Sequence, residues 1–202
     1  SVYIGSSSSG ILIDAGVSYK RLLEGLAACG LDISAVNAIF VTHDHSDHIA
    51  GLKILTGKHD IPVYALSATL KKLVENDVIR SRACEINGIV TVDDMEISCF
   101  RTPHDTEESC GYRIKTSDGK VCAVCTDLGH ITEEVDRGIS GCDLVMLEAN
   151  YDEKMLSGGP YPYYLKKRIA SEHGHLSNND CAAQVRKLVE SGTMRIILGH
   201  LS

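Results

Sequence analysis

Along this chain, short apolar blocks alternate with longer stretches in which apolar residues recur every three or four positions. The blocks mark strands and the wider period marks helices with one buried face. Gly10-Ile11-Leu12-Ile13-Asp14-Ala15-Gly16 reads as a strand ending in a glycine turn. Ser18 caps a helix that carries Leu22, Leu23, Leu26 and Ala27 on one face, with Gly30 as its stop. Ala38-Ile39-Phe40-Val41-Thr42 is a buried strand, 49–55 a short helix, and Pro62-Val63-Tyr64-Ala65 a strand. Ser67 caps a helix through Leu70, Leu73 and Val74.

The middle of the chain changes character. Strands at 88–92, 95–100, 111–115 and 121–125 follow one another, with the hairpin signal Ser117-Asp118-Gly119 between the last two. Helical spacing returns at 131–140, followed by a strand at Asp143–Leu147, helices at 163–172 and 178–191, and a last strand Arg195-Ile196-Ile197-Leu198. Strands that alternate with helices at both ends and meander between them predict an α/β sandwich, two facing mixed sheets with helices on both outer sides. With 202 residues, 44% of them apolar, no internal repeat and no linker, residues 1–202 read as a single domain.

Composition narrows the setting. No stretch approaches the ~20 apolar residues of a membrane span, and Ser1-Val2-Tyr3-Ile4 has neither the basic start nor the apolar segment of an export signal. A cytoplasmic protein without membrane contact is expected. The eight cysteines are scattered, and Cys29, Cys99, Cys122, Cys142 and Cys181 fall in apolar strand or helix patterns, so they read as reduced and structural. Cys122 and Cys125 have CxxC spacing, but three residues along a strand point to opposite faces. The formal charge of −7 weighs only weakly against a nucleic-acid partner, because carboxylates at a metal site and the bound cations would offset it.

The densest chemistry is His43-Asp44-His45-Ser46-Asp47-His48, directly after the buried strand. Imidazoles with carboxylates suit zinc, manganese and iron. Later strands repeat the theme at their C-terminal ends: His104 follows 99–102, Asp127 follows Cys125-Thr126, and His200 follows Ile197-Leu198-Gly199. With His43, His45, Asp47 and His48 this makes seven candidate ligands. Seven exceed one tetrahedral ion and suit two divalent ions that share a bridging carboxylate and leave room for water.

The order HxHxDH, lone His, Asp and late His resembles the metallo-β-lactamase superfamily. The resemblance implies an αββα fold with a dinuclear site at one edge. It also implies that His43, His45 and His104 hold one ion and that Asp47, His48 and His200 hold the other, with Asp127 bridging. An Asp at that bridging position points to the hydrolase branches rather than to the β-lactamases proper. Leu147-Glu148-Ala149-Asn150, Gly174-His175-Leu176-Ser177 and Gly199-His200-Leu201-Ser202 look like the ribonuclease Z branch, whose middle His handles the scissile phosphate. Thr126-Asp127-Leu128-Gly129-His130, Glu148-Ala149-Asn150-Tyr151-Asp152 and Gly159-Pro160-Tyr161-Pro162 are closer still to the small bacterial WalJ/YycJ-type metallo-hydrolases. That likeness implies a 5′-to-3′ DNA exonuclease that uses divalent cations, Mn2+ or Zn2+ with iron also admissible. Members of that group begin with a Gly-Ser-Ser-Gly-Asn-Ser stretch and run on past the late His-Leu-Ser, so residues at both ends are expected to be missing.

The residues from 160 to 180 fit a phosphate ligand on their own terms. Lys166-Lys167-Arg168 is a basic run on a helix, and Ser177 caps a helix whose N–H groups face the His175 loop. The expected mechanism is attack on phosphorus by a hydroxide activated between two metals. Asp47 orients it, and His175, with His130 as a further candidate, meets the phosphate or protonates the leaving oxygen. Glu148 orients His175. Rival readings are an RNA-processing nuclease of ribonuclease Z type, a small-molecule phosphodiesterase, lactonase or thioesterase, a scaffold with a vestigial site, and a diiron redox protein. The sequence leaves the oligomeric state open, a dimer included.

Overall fold

The computed structural model describes every residue, Ser1–Ser202, as two compact units. The first comprises Ser1–Ile97 and Thr106–Glu108, the second Ser98–Asp105 and Ser109–Ser202.

In the first unit, β1 (Val2–Gly5), β2 (Gly10–Ile13), α1 (Tyr19–Ala28), β3 (Ala38–Phe40), α2 (Ser46–Ile49), α3 (Leu52–Lys58), β4 (Val63–Ala65), α4 (Ser67–Glu75) and β5 (Ala83–Glu85) form a five-stranded sheet with its helices. The strand order is β1-β2-β3-β4-β5. The first pair is antiparallel and the rest are parallel. Parallel strands are buried on both faces, which is why β2 and β3 read as unbroken apolar runs. Ile11, Ile13, Ile39 and Phe40 are all at most 1% exposed. Leu22 and Leu26 of α1, Leu52 and Leu55 of α3, and Leu73 of α4 join Leu12, Ile39, Val41 and Val63 in one core. Next in the chain come β6 (Val90–Val92) and β7 (Met95–Arg101), an antiparallel pair joined at Asp93.

The second unit continues with β8 (Cys110–Thr116), β9 (Val121–Cys125), α5 (Glu133–Ile139), β10 (Leu144–Glu148), α6 (Glu153–Gly158), α7 (Tyr163–Ile169), α8 (Asn178–Glu190) and β11 (Arg195–Gly199). The second sheet has the order β11-β10-β9-β8-β7-β6. Here β8 is antiparallel to β9, and β9, β10 and β11 run parallel, so their C-terminal ends share one edge. Phe100, Leu128, Val135, Ile139, Val145, Leu147, Leu176 and Leu188 form the core beneath that edge.

Several local readings need correction. Ser67 is the first residue of α4 rather than its cap, because the Ala68 N–H donates to the Glu108 carboxylate at 2.6 Å and Leu66 occupies the cap position. The helix expected over 49–55 is two helices, α2 and α3. Gly51 between them donates to the Ala15 carbonyl, and a Cβ there would meet the Val17 carbonyl oxygen at 2.2 Å. Helix 163–172 stops at Ile169, where Gly174 packs back onto the Arg168 and Ile169 carbonyls. Cys29 is the exposed C-cap of α1 rather than part of an apolar face. The short elements β1, β5 and α6 carried too little apolar pattern to be seen.

Gly16 follows β2 at a point where side chains are excluded. A Cβ there would lie 1.6 Å from the Asp47 carbonyl oxygen. Gly16→Ala is expected to displace the turn that carries Asp47 and His48 and to cost about 1–3 kcal/mol. Thermal unfolding should show the loss of stability, and metal analysis of the variant should show reduced occupancy. An unchanged melting temperature with full metal content would contradict the close approach.

Candidate active site

In the first unit the chain leaves β3 still extended and enters α2 at His45. His43 is fully buried, His45 half-buried and His48 buried, while Asp47 is exposed. The His43 ring centre lies 4.6 Å from that of His45 and 4.2 Å from that of His48. The pair Asp14 and Thr42 sets these rings. Asp14 accepts from the Thr42 N–H (2.8 Å) and hydroxyl (2.9 Å), and its Oδ2 lies 2.7 Å from His48 Nδ1. The Thr42 hydroxyl oxygen, its proton given to Asp14, lies 3.0 Å from His43 Nδ1. Fixing Nδ1 on an oxygen presents Nε2 as the ligating atom. Asp44 points the other way, to the Thr106 hydroxyl (2.9 Å) and Lys72 (3.3 Å). Burial pushes the Asp44 carboxyl up, but those two partners outweigh it and hold it below its usual range.

In the second unit, Glu148 ends β10 with no exposed surface. Its Oε1 lies 2.8 Å from His175 Nδ1 and 2.7 Å from His200 Nδ1. Its Oε2 accepts from the N–H groups of Leu128 (3.0 Å) and Leu176 (3.2 Å). Burial pushes the Glu148 carboxyl up, yet the two imidazoles and the Leu128 N–H overcome it and bring it down to about 2. Asp127 and His200 follow β9 and β11 with φ of 58° and 54°, in the left-handed region, where a non-glycine residue is held only by its surroundings. His200 Nε2 comes within 3.4 Å of Asp127 Oδ1, and His104 Nε2 within 3.8 Å of the same oxygen. His104 Nδ1 lies 3.0 Å from the Gly174 carbonyl. Burial lowers the basicity of His104, with Asp127 opposing, and so favours the neutral ring that a metal needs.

The donor chemistry fits divalent cations. Asp127, Glu148, His175 and His200 each offer a ligand atom within 4.8 Å of the others. His43 and His48 in the first unit and His104, His175 and His200 in the second are held at Nδ1 by an oxygen, and Nε2 of His104 and of His200 faces Asp127. The remaining predicted residues lie outside this group. His130 is exposed, with Nδ1 3.0 Å from the Glu172 carbonyl. The Ser177 hydroxyl accepts from the Asp180 N–H and donates to the Asp180 carboxylate, so it caps α8. Lys166 donates to the Ser157 carbonyl, Lys167 lies over the Tyr163 ring, and Arg168 pairs with Asp105. Sequence reasoning missed Asp14 and Thr42. The signal was an Asp at the end of an apolar strand, the same one that marked Asp127.

Comparison with known proteins gives this geometry a family. The beta-lactamase superfamily domain matches residues 10–201. The chain belongs to the beta-lactamase superfamily. This superfamily member is 34% identical over its whole length to the exodeoxyribonuclease YycJ of Bacillus anthracis, covering 77% of that protein. It is 34% identical, with the same coverage, to the exodeoxyribonuclease WalJ of Streptococcus pneumoniae. Among solved structures, Zn2+-bound PqqB of Methylobacterium extorquens superimposes with a TM-score of 0.78 over 98% of this chain and 75% of PqqB, at 18% identity. Two mixed sheets with their helices are thus the metallo-β-lactamase fold.

Because folding depresses the Glu148 carboxyl from 4.5 to about 2, its contribution to stability is complete above pH 4.5. It fades as pH falls from there toward 2. In this superfamily member Glu148→Gln should flatten the acid limb of stability over that interval, as followed by urea unfolding at a series of pH values. Glu148→Ala, which strands both imidazoles and two buried N–H groups, should cost about 3–5 kcal/mol. An acid limb identical to that of the parent would show that Glu148 is not the group responsible.

Proposed function

We propose that this superfamily protein is a divalent-metal-dependent phosphodiesterase that acts on DNA in the cytoplasm as a 5′-to-3′ exonuclease. The observation that carries the reading is the set of imidazoles fixed at Nδ1 by buried oxygens, in a chain 34% identical over its full length to exodeoxyribonucleases. His43, His45 and His104 would hold one cation, and Asp47, His48 and His200 a second, with Asp127 common to both. Mn2+ and Zn2+ suit this mixture of imidazole and carboxylate, and iron is also compatible. Such cations, when bound, supply an acidified water and offset charge that builds on the phosphate oxygens.

The chain's own residues do the rest. Asp47, the exposed carboxylate of the set, orients the attacking water. Glu148 accepts a hydrogen bond from His175 Nδ1–H and aims Nε2 of that ring at a non-bridging or leaving oxygen of the phosphate. The N-terminus of α8, three residues after His175, has its Asn178 and Asp180 N–H groups bonded to Tyr151 and Ser177, so what it adds is the positive end of the helix dipole. Lys166, Lys167 and Arg168 attract the backbone of the substrate on its approach.

The decisive experiment offers end-labelled, 5′-phosphorylated DNA, the matching RNA and a lactone panel to the purified chain under Mn2+, Zn2+ and chelator. Stepwise release of mononucleotides from DNA, abolished by chelation, is expected. Asp47→Ala and His48→Ala should abolish release. His175→Ala should slow it by about 10²–10⁴ while metal content stays full. Wild-type rates in the Asp47 or His48 variants would end the proposal, and faster turnover of RNA or a lactone would replace DNA as substrate.

A further inference from the structure

Away from the imidazoles, the second unit concentrates exposed aromatic and basic side chains on α6, α7 and the loop between them. Tyr161 is 45% exposed, and Tyr163 and Tyr164 are each 73% exposed. A cleft of about 520 Å³ opens here, lined by Tyr151, Leu156, Tyr163, Lys166 and Lys167, with Glu153 as its acidic side chain. That volume lies within the range of about 300–1,000 Å³ typical of small-ligand sites. Lys167 Nζ lies 5.1 Å from the centre of the Tyr163 ring, and Lys166 Nζ is anchored 2.7 Å from the Ser157 carbonyl.

Two connections tie the cleft to the His175 loop. The His175 N–H donates to the carbonyl of Ile169, the last residue of α7 (2.9 Å), and the Asn178 N–H donates to the carbonyl of Tyr151 (2.8 Å). Tyr163 precedes Ile169 by six residues, about 9 Å of helix. A polymer held at His175 would therefore meet Tyr163 within a short run of nucleotides.

We infer that the cleft between α6 and α7 is a track for single-stranded nucleic acid, with bases stacked on Tyr163 and backbone phosphates met by Lys166 and Lys167. The inference rests on the nuclease reading of the neighbouring site. Its occupant follows from complementarity. Three consecutive cations, Lys166-Lys167-Arg168, stand in a chain of formal charge −7, beside tyrosine faces that water does not need. Unpaired bases offer π-faces and phosphates together, whereas in a duplex the faces are already stacked.

The chain has no tryptophan and eight tyrosines, so its own tyrosine emission reports stacking. Labelled oligothymidylate is titrated into the full chain in chelator, where nothing turns over, with anisotropy and tyrosine emission followed together. Quenching on binding is expected, with weaker competition from a blunt duplex of equal length. Tyr163→Ala should weaken binding about tenfold, Tyr163→Phe should restore it, and Lys167→Ala should lower the salt dependence by about one charge. The track is overturned if the wild type fails to bind, if Tyr163→Ala binds like the wild type, if Lys167→Ala leaves the salt dependence unchanged, or if Tyr163→Phe behaves like Tyr163→Ala. The nuclease reading is judged separately, by nucleotide release from end-labelled DNA in Mn2+. A chain that binds single strands through Tyr163 but releases nothing keeps the track and loses the activity. A chain that degrades DNA with an indifferent Tyr163 does the reverse.

Discussion

A carboxylate is tolerated out of water only when hydrogen-bonding partners surround it, and each unit answers that demand with imidazoles of the candidate site. Glu148 has no exposed surface and is met by two rings and two backbone N–H groups. Asp14 is met by a backbone N–H, a hydroxyl and a third ring. The same bonds that make these acids tolerable choose the tautomer of each ring. With Nδ1 committed to an oxygen, Nε2 is the position that can ligate or exchange a proton, and its direction is set before any ligand arrives.

That preorganisation rests on strained backbone over a rigid core. Asp14, Asp127 and His200 all adopt φ between 54° and 60°, at the ends of strands whose last residues, Ile13, Cys125 and Gly199, are buried. A left-handed residue costs free energy that the surroundings must supply, and here the close-packed strand ends supply it. The gain is directional. The chain reverses sharply at the sheet edge and swings a short acid or a ring back across the strand termini instead of out to solvent. Gly16 and Gly174 serve the same end by letting backbone approach backbone where any side chain would collide.

Much of this was legible in the sequence, for definite reasons. The strands bearing Ile11–Ile13 and Ile39–Phe40 announce themselves because parallel strands need apolar residues on both faces, and the apolar run Ile196–Leu198 marks β11 although Ile197 and Leu198 are about half exposed at the sheet edge. A polar residue follows the end of β7, β9 and β11 alike, so His104, Asp127 and His200 stand out. Asp14 stands in the same position, in a stretch that reads only as a strand running into a glycine turn, since nothing local says that its carboxylate reaches Thr42 and His48, 28 and 34 residues away. Glu148 could be paired with His175, but its second imidazole lies 52 residues further on and is visible only once β10 and β11 lie side by side. The cap of α4 failed for the same reason. Local rules favoured Ser67, while the donor was satisfied by Glu108, 40 residues distant from Ala68.

The acidic total also looks different once charge is sorted by place. Among the carboxylates counted in −7 are Asp14, Asp47, Asp127 and Glu148, which either touch imidazoles or belong to the candidate ligand set. Two divalent cations would offset more than half of the excess. What a polyanion meets on approach is the local field rather than the sum. On the second unit that field is shaped by Lys166, Lys167 and Arg168, at the end of α7 that is bonded to the His175 loop. Arg168 is held by Asp105 and Lys166 by a carbonyl, so these cations are positioned groups rather than freely waving ones. A fixed cation gives up less freedom when a phosphate binds, and so an acidic protein can present a basic, ordered face where a nucleic acid would need it.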